Sequence, residues 1–269
     1  MNMFMKSTGL LIAGLMLVSI GYAQQNSEPP STMPANDKTP PATSTKAMAM
    51  PTDTMPHSLK VYNRAMLFGD YQVAKSALFS LIVDNPERLD YIDSLSRIYF
   101  GLGAYPQSLL AAKIVLEKQP KNLEMLELSA ISQDALGNKK EALEAYEQLY
   151  PLTKNLNHAY QIAVLQYSLQ RYGECTTTTD NILSDENAGK QKIGINVDQT
   201  NSQQVPLTAA VHNLRGVMFK EMNQADKAKS EFETALKEAP DFALAKSNLE
   251  ALSKPAAEPE KEEKSKKKK

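Results

Sequence analysis

Apolar residues recur along the middle of the chain with the period of an α-helix, and the helices they predict come in pairs. Leu59, Tyr62, Ala65 and Met66 fall on one helical face, and Val73, Ala74, Ala77, Leu78, Leu81 and Ile82 on the next. Between the two runs stands Phe68-Gly69-Asp70. Glycine suits a left-handed residue closing the first helix, and the Asp70 carboxylate can accept a backbone N–H as N-cap of the second. The turn returns as Leu102-Gly103-Ala104 and Leu136-Gly137-Asn138, so that Gly69, Gly103 and Gly137 are 34 residues apart. Ala74, Ser108 and Ala142 keep the same step and predict close helix contacts. Pro86 and Pro120 also keep it and stop their helices, because proline offers no backbone N–H. Tyr71 and Tyr105 share a phase from which Lys139 departs.

A fourth pair is weaker. Ala159, Ile162, Ala163, Leu165 and Leu169 match Tyr172, Cys175, Ile182 and Leu183, but Gln170 stands where glycine is expected and Thr176 to Thr179 is a β-branched run of poor helix propensity. The fifth pair carries Gly216, Phe219, Met222, Asn223, Ala228, Phe232, Ala235 and Pro240. Asn223 takes the glycine's place there because asparagine tolerates the left-handed region. Phe242, Leu244, Ala245, Leu249 and Leu252 predict a capping helix. From Gln170 to Asn223 the step is 19 residues too long, which marks an insertion at about 186–207. Ile193, Ile195 and Val197 alternate with Gly194 and Asn196. After the polar stretch Asp198 to Gln204 comes Val205-Pro206-Leu207, so the segment reads as a short hairpin or flap projecting from one edge, or as a disordered loop.

Glycine, aromatic, small residue and proline at these offsets resemble the tetratricopeptide repeat, a helix-turn-helix unit of 34 residues. The resemblance covers about 56–253. It implies an all-α, right-handed solenoid of about five helix pairs with a capping helix and a hairpin-like insertion before the last pair. It also implies a concave groove lined by the first helix of each pair. Carried over by phase from the turns, the groove positions are Leu59, Asn63 and Met66; then Asp90, Asp93, Arg97 and Phe100; then Glu124, Glu127, Ile131 and Asp134. Tyr160, Val164 and Tyr167 follow in the fourth pair, and Asn213, Val217 and Lys220 in the fifth. Five carboxylates against Arg97 favour a cationic peptide, and the tyrosines offer flat surfaces with polar tips. The alternative is that these acids only solvate exposed helix faces. The chain departs from family members that clamp a terminal carboxylate with Lys, Asn and Arg: Asn63 matches that set, whereas Leu59 and Asp90 do not.

The ends of the chain read differently. Lys6, the apolar run Gly9 to Ile20 and the small residues of Gly21-Tyr22-Ala23 describe a secretory signal over 1–23, or an uncleaved anchor in the inner membrane. Residues 24–55 form a linker rich in Pro, Thr and Met. Met33, Met48, Met50 and Met55 with His57 are either a thioether site for a soft ion such as Cu(I) or scattered methionines, and no metal is expected. Residues 254–269 are a charged tail in which Glu258, Glu260, Glu262 and Glu263 precede Lys266 to Lys269. It either attaches to an anionic surface or solvates the terminus.

A formal net charge of −1 argues against a nucleic-acid partner. A single cysteine, Cys175, removes intramolecular disulfides and is compatible with an oxidising compartment. No catalytic constellation is legible. His57, His158 and His212 form no ligand pair, Gly101-Leu102-Gly103 follows a helix rather than a strand, and Gly189-Lys190 lacks the rest of a phosphate loop. Cys175 reads as a buried thiol and His212 as a packed side chain. The expectation is an exported protein, periplasmic or secreted, that is not an enzyme and needs no cofactor. It would act as an adaptor or scaffold of the cell envelope and bind a peptide or partner protein in its groove, with no stable membrane span and no small-molecule substrate. A self-associating structural component is the alternative, and an enzyme with an unrecognised site stands behind it.

Overall fold

A computed structural model describes residues 55–198 and 201–253. The expected leader, the linker as far as Thr54 and the charged tail lie outside the described residues, as do 199 and 200 within the insertion. The described chain divides into two compact units at Asn138/Lys139.

The first unit holds α1 (His57–Leu67), α2 (Tyr71–Asp84), α3 (Leu89–Gly101), α4 (Tyr105–Lys118) and α5 (Leu123–Ala135). Each packs on its chain neighbour, and α3 also meets α5. Gly69, Gly103 and Gly137 take φ values of 69°, 70° and 80°. After each, an N–H reaches back five residues to a carbonyl: Asp70 to Ala65 at 2.9 Å, Ala104 to Tyr99 at 2.9 Å and Asn138 to Gln133 at 2.9 Å. The repeat read in the sequence is thus a repeat of helix closure, in which the left-handed residue lets the chain satisfy carbonyls that the helix end would orphan. Asp70 caps α2, its Oδ1 accepting from the Val73 N–H at 3.1 Å. Asn122 does the same for α5.

Two apolar clusters carry this unit. One joins Ala65, Ala74, Leu78, Leu81, Tyr91, Leu95 and Ile98, and the other Ile92, Ala111, Ala112, Val115, Met125 and Leu128. Each fully buried Leu or Met contributes roughly 1.5–3 kcal/mol by leaving water. Where α3 and α4 come closest, Ser96 and Ser108 exchange hydrogen bonds. Each Oγ donates to the other's carbonyl at 3.0 Å, so two buried hydroxyls fill a contact that admits only small side chains.

The second unit holds α6 (Lys139–Thr153), α7 (Leu156–Ser168), α8 (Tyr172–Ser184), a 3₁₀ turn (Ala188–Lys190), β1 (Lys192–Asn196), β2 (Ser202–Pro206), α9 (Leu207–Glu221), α10 (Ala225–Glu238) and α11 (Ala243–Ser253). The closure persists without glycine. Gln170 at φ 59° and Asn223 at φ 58° are followed by Arg171 N–H to Gln166 and Gln224 N–H to Phe219, at 2.8 and 2.9 Å. The threonine run stays helical. Thr176 and Thr177 donate to the carbonyls of Tyr172 and Gly173, Thr179 donates to that of Thr176, and Thr178 Oγ1 ties α8 to Gln166 of α7 at 2.8 Å.

The insertion is an antiparallel hairpin pairing Ile193 with Val205 and Ile195 with Gln203. Its second strand starts at Ser202, inside the polar stretch, and Leu207 opens α9 instead of ending a strand. The hairpin does not project as a flap. Ile193, Ile195 and Val205 are buried in one cluster with Leu207, Ala239, Phe242 and Ala245. Gln203 shares their inward face, and its polar head is satisfied by the backbone entering α11: Nε2 donates to the Asp241 carbonyl at 2.8 Å and Oε1 accepts from the Ala243 N–H at 3.0 Å. Gly216 sets the approach of α9 to α10, because a Cβ there would stand 2.4 Å from Phe232.

Candidate functional site

The face predicted to receive a ligand is realised most clearly on α3 and α5. Tyr91, Ile92, Leu95 and Ile98 of α3 and Met125 and Leu128 of α5 lie in the clusters above, and Phe100 packs against the second, which leaves Asp90, Asp93 and Arg97 of α3 and Glu124, Glu127 and Asp134 of α5 outside them. Arg97 binds them together. Its Nη2 donates to Asp93 one turn earlier, and its Nε lies 2.7 Å from Glu124 Oε1 of the next repeat. Asp93 is largely covered, whereas Arg97 and Glu124 stay about half exposed. Burial pushes the Glu124 carboxyl above its ordinary range. Arg97 lowers it, Asp93 and Glu127 raise it, and the balance remains upward. Burial therefore outweighs the attraction of the guanidinium beside that carboxylate.

Asp90 is held apart from this group by Arg88, whose Nη2 lies 2.6 Å from it. The Arg88 hydrogen bond lowers the Asp90 carboxyl below the usual carboxylate range. Phe100 is partly buried and meets Tyr105 edge-on at 5.8 Å. Asn63 of α1 is exposed and turns its amide towards Met55 Sδ at 3.8 Å. Glu127 and Asp134 are partly covered on α5.

In the second unit the expected positions do not make an open face. Tyr160 is buried, 5 % exposed, in the cluster that also holds the hairpin residues, and burial raises its phenol above the ordinary value. The phase rule fails at Tyr160 because α7 packs against α6, α8 and α9 together and is buried around most of its circumference. Asn213 is also buried, 8 % exposed, and accepts from Asn248 Nδ2 of α11 at 2.9 Å. Tyr167 has little exposure, and its hydroxyl donates to Glu221 Oε1 at 2.5 Å while Tyr172 donates to the other oxygen at 3.0 Å. Burial, then the Glu221 hydrogen bond, raises the Tyr167 phenol. Lys220 is exposed. Glu221 escaped the sequence reading because its partners lie about fifty residues away and no spacing signals the pair.

The sequence reading also missed a half-buried polar network across α8, α9 and α10. His212 Nδ1 lies 2.6 Å from Glu231 Oε2, Arg215 Nε donates to Glu231 Oε1 at 2.9 Å, and Arg215 Nη1 pairs with Asp180. His158 is buried, with its Nδ1 2.9 Å from the Thr153 hydroxyl. Cys175 is fully buried, and burial pushes its thiol up to about 11, so it presents a neutral, inaccessible sulfur instead of a nucleophile. Among the described residues no cluster of metal-ligating side chains and no helix long and apolar enough to cross a membrane is present.

No protein-family model matches this sequence, and no curated protein matches it. Solved structures do match the fold. The chain is similar to YrrB, described as a TPR protein with an unusual peptide-binding site, at 12% identity and a TM-score of 0.56 over 71% of this chain and 89% of that one. It is also similar to two structures of MamA. One has 13% identity and a TM-score of 0.55 over 75% of this chain and 96% of that one; the other has 13% identity and a TM-score of 0.54 over 68% and 96%. At such identities the likeness is one of architecture, and it agrees with the helix closures and small-residue contacts above: the chain has the tetratricopeptide-repeat fold.

Proposed function

We propose that this chain is an interaction adaptor of the cell envelope that takes a cationic stretch of a partner polypeptide on the α3/α5 face of its first unit. The observation that carries the reading is the Asp93–Arg97–Glu124 bridge between successive repeats, with Glu124 still raised by burial and by its acidic neighbours. A lysine or arginine side chain arriving beside Glu124 and Glu127 would lower that carboxyl again, and this difference between free and bound states favours association. Phe100 supplies an apolar border. The peptide-binding site named for YrrB is that protein's own, and it supports this reading only in that the same architecture can host a polypeptide. Tyr160 and Asn213 take no part, since both are buried. Export belongs to the proposal and rests on Lys6, the apolar run Gly9 to Ile20 and the small residues before Gln24.

A crosslinking pull-down from intact cells tests it, comparing the unaltered chain with Asp90→Lys, Asp93→Lys, Glu124→Lys and Glu127→Lys combined. Each exposed pair is worth roughly 0.2–1 kcal/mol, so recovery of the partner should fall at least about tenfold while helicity by circular dichroism is kept. Binding should also weaken as pH falls through the raised Glu124 range, at a higher pH than an ordinary glutamate would give. A partner recovered undiminished by the reversed variant contradicts the assignment.

A further inference from the structure

The last helix pair is covered, and the first is not. The chain entering α11 buries Phe242 and Ala245 in the cluster that holds residues of α9 and α10. Before α1, the described residues begin at Met55. Val61, Phe68 and Val73 take no part in the cluster that joins α1 to α2 and α3. With Ala65 they wall a mostly apolar groove of about 440 Å³ that begins at His57. Phe68 is 75 % exposed there and Val73 42 %. A terminal repeat of a stacked array needs a polar outer face or a cover, and among the described residues this one has neither. The sequence supplies one candidate. Outside the described residues and beyond the expected leader, the large apolar side chains are Met33, Met48 and Met50, and the tail 254–269 has none. In Ala47-Met48-Ala49-Met50 the alternation puts both methionines on one side of an extended chain, and their flexible thioether chains suit an irregular groove.

We infer that the α1/α2 groove is a docking site for the chain's own segment 47–50, whose two methionine side chains cover Phe68 and Val73. The length of chain fits. Phe68 stands eleven positions after His57, about 16 Å along the helix, and the five residues from Met50 to Met55 reach at most about 18 Å. Pro51 to Thr54 form the connection, and their polar side chains can stay in water while the methionines leave it. Tethering decides between this segment and the same segment of a second copy. A link this short holds its ligand at an effective concentration of millimolar order, so a second copy competes only when the protein itself is that concentrated. The contact stands apart from the α3/α5 face, and failure of either leaves the other intact. An apolar partner directed to this groove has to displace the segment first, so the methionines guard a face that is otherwise open.

NMR on the full chain after leader removal, with methyl-labelled methionine, tests this. Nuclear Overhauser contacts should join the Met48 and Met50 methyls to the Phe68 ring and the Val73 methyls, and should persist on about tenfold dilution from about 200 μM. Met48→Ser with Met50→Ser should abolish these contacts and shift the signals of Val61, Phe68 and Val73. It should also speed amide exchange along α1 by about fivefold or more while exchange in α9 to α11 is unchanged. Met48→Leu with Met50→Leu keeps the apolar bulk and should restore the slow exchange. Both substitutions lie outside the packed clusters, so neither threatens the fold. Contacts missing in the unaltered protein, exchange in α1 that is the same in the parent and the serine variant, or protection that the leucine variant does not restore overturns the inference. Contacts found only between labelled and unlabelled molecules in a mixed sample assign the groove to a second copy and overturn it as well.

Discussion

At the residue scale the fold depends on a few backbone positions more than on the side chains between them. Among the described residues six helix ends are followed by a left-handed residue, and only three of those residues are glycine. At Gln170 the Cβ meets the carbonyl strain that glycine avoids, and the side chain there is exposed. Gln170→Gly should therefore stabilise the protein by about 0.5–1 kcal/mol after the extra freedom of the unfolded glycine is subtracted, read as a higher urea midpoint at unchanged slope. Gly216 is the opposite case, because it is required for space and not for torsion. Gly216→Ala forces Phe232 or the α9/α10 backbone aside and should cost about 1–3 kcal/mol, and a variant as stable as the parent would contradict the contact. Both closure types were legible in the sequence, since Gly69, Gly103, Gly137 and Asn223 advertise their conformations chemically. Gln170 was legible only from its place in the phase. The burial of Tyr160 was not legible, because phase counts residues along one helix and carries no information about three other helices closing around it.

At the element scale the hairpin is the least typical part and the one most changed by seeing it in place. Alternation of Ile193 and Ile195 signalled a strand, but the start of β2 at Ser202 was hidden, since Gln203 is an inward polar residue whose partners are backbone groups at Asp241 and Ala243. Polarity argues for a loop until those partners are known. The two hydrogen bonds tie hairpin and capping helix into one cooperative element, with Ile193, Ile195 and Val205 beneath. Gln203→Ala should cost about 1–3 kcal/mol and speed amide exchange at Ala243 and along β1 and β2, while protection in α3 and α4 is unchanged. Unaltered exchange at Ala243 would show that the capping helix is held without the glutamine. The threonine run of α8 shows tertiary packing outweighing poor propensity in the helix expected to be weak: Thr179 is fully buried, and Thr178 Oγ1 donates to Gln166 of α7 at 2.8 Å.

For the whole molecule, the repeat specifies packing and leaves recognition to what each repeat exposes. The first unit exposes carboxylates bridged by one arginine across α3 and α5, whereas the second ties its corresponding side chains to one another, as in Tyr167 and Tyr172 on Glu221. That contrast is why the candidate site contracts from a groove along the entire array to a face of one unit. The acidic residues of the face were legible by phase, but the bridge that organises them was not, because it depends on side-chain reach between repeats. Chemical-shift mapping of the isotopically labelled protein titrated with a lysine-rich peptide tests the central claim most directly. The account predicts perturbations concentrated on Asp93, Arg97, Glu124 and Glu127 that vanish in the charge-reversed variant. Perturbations centred instead on the hairpin or on the Tyr167–Glu221 cluster, or spread evenly over exposed acids of both units, would contradict it.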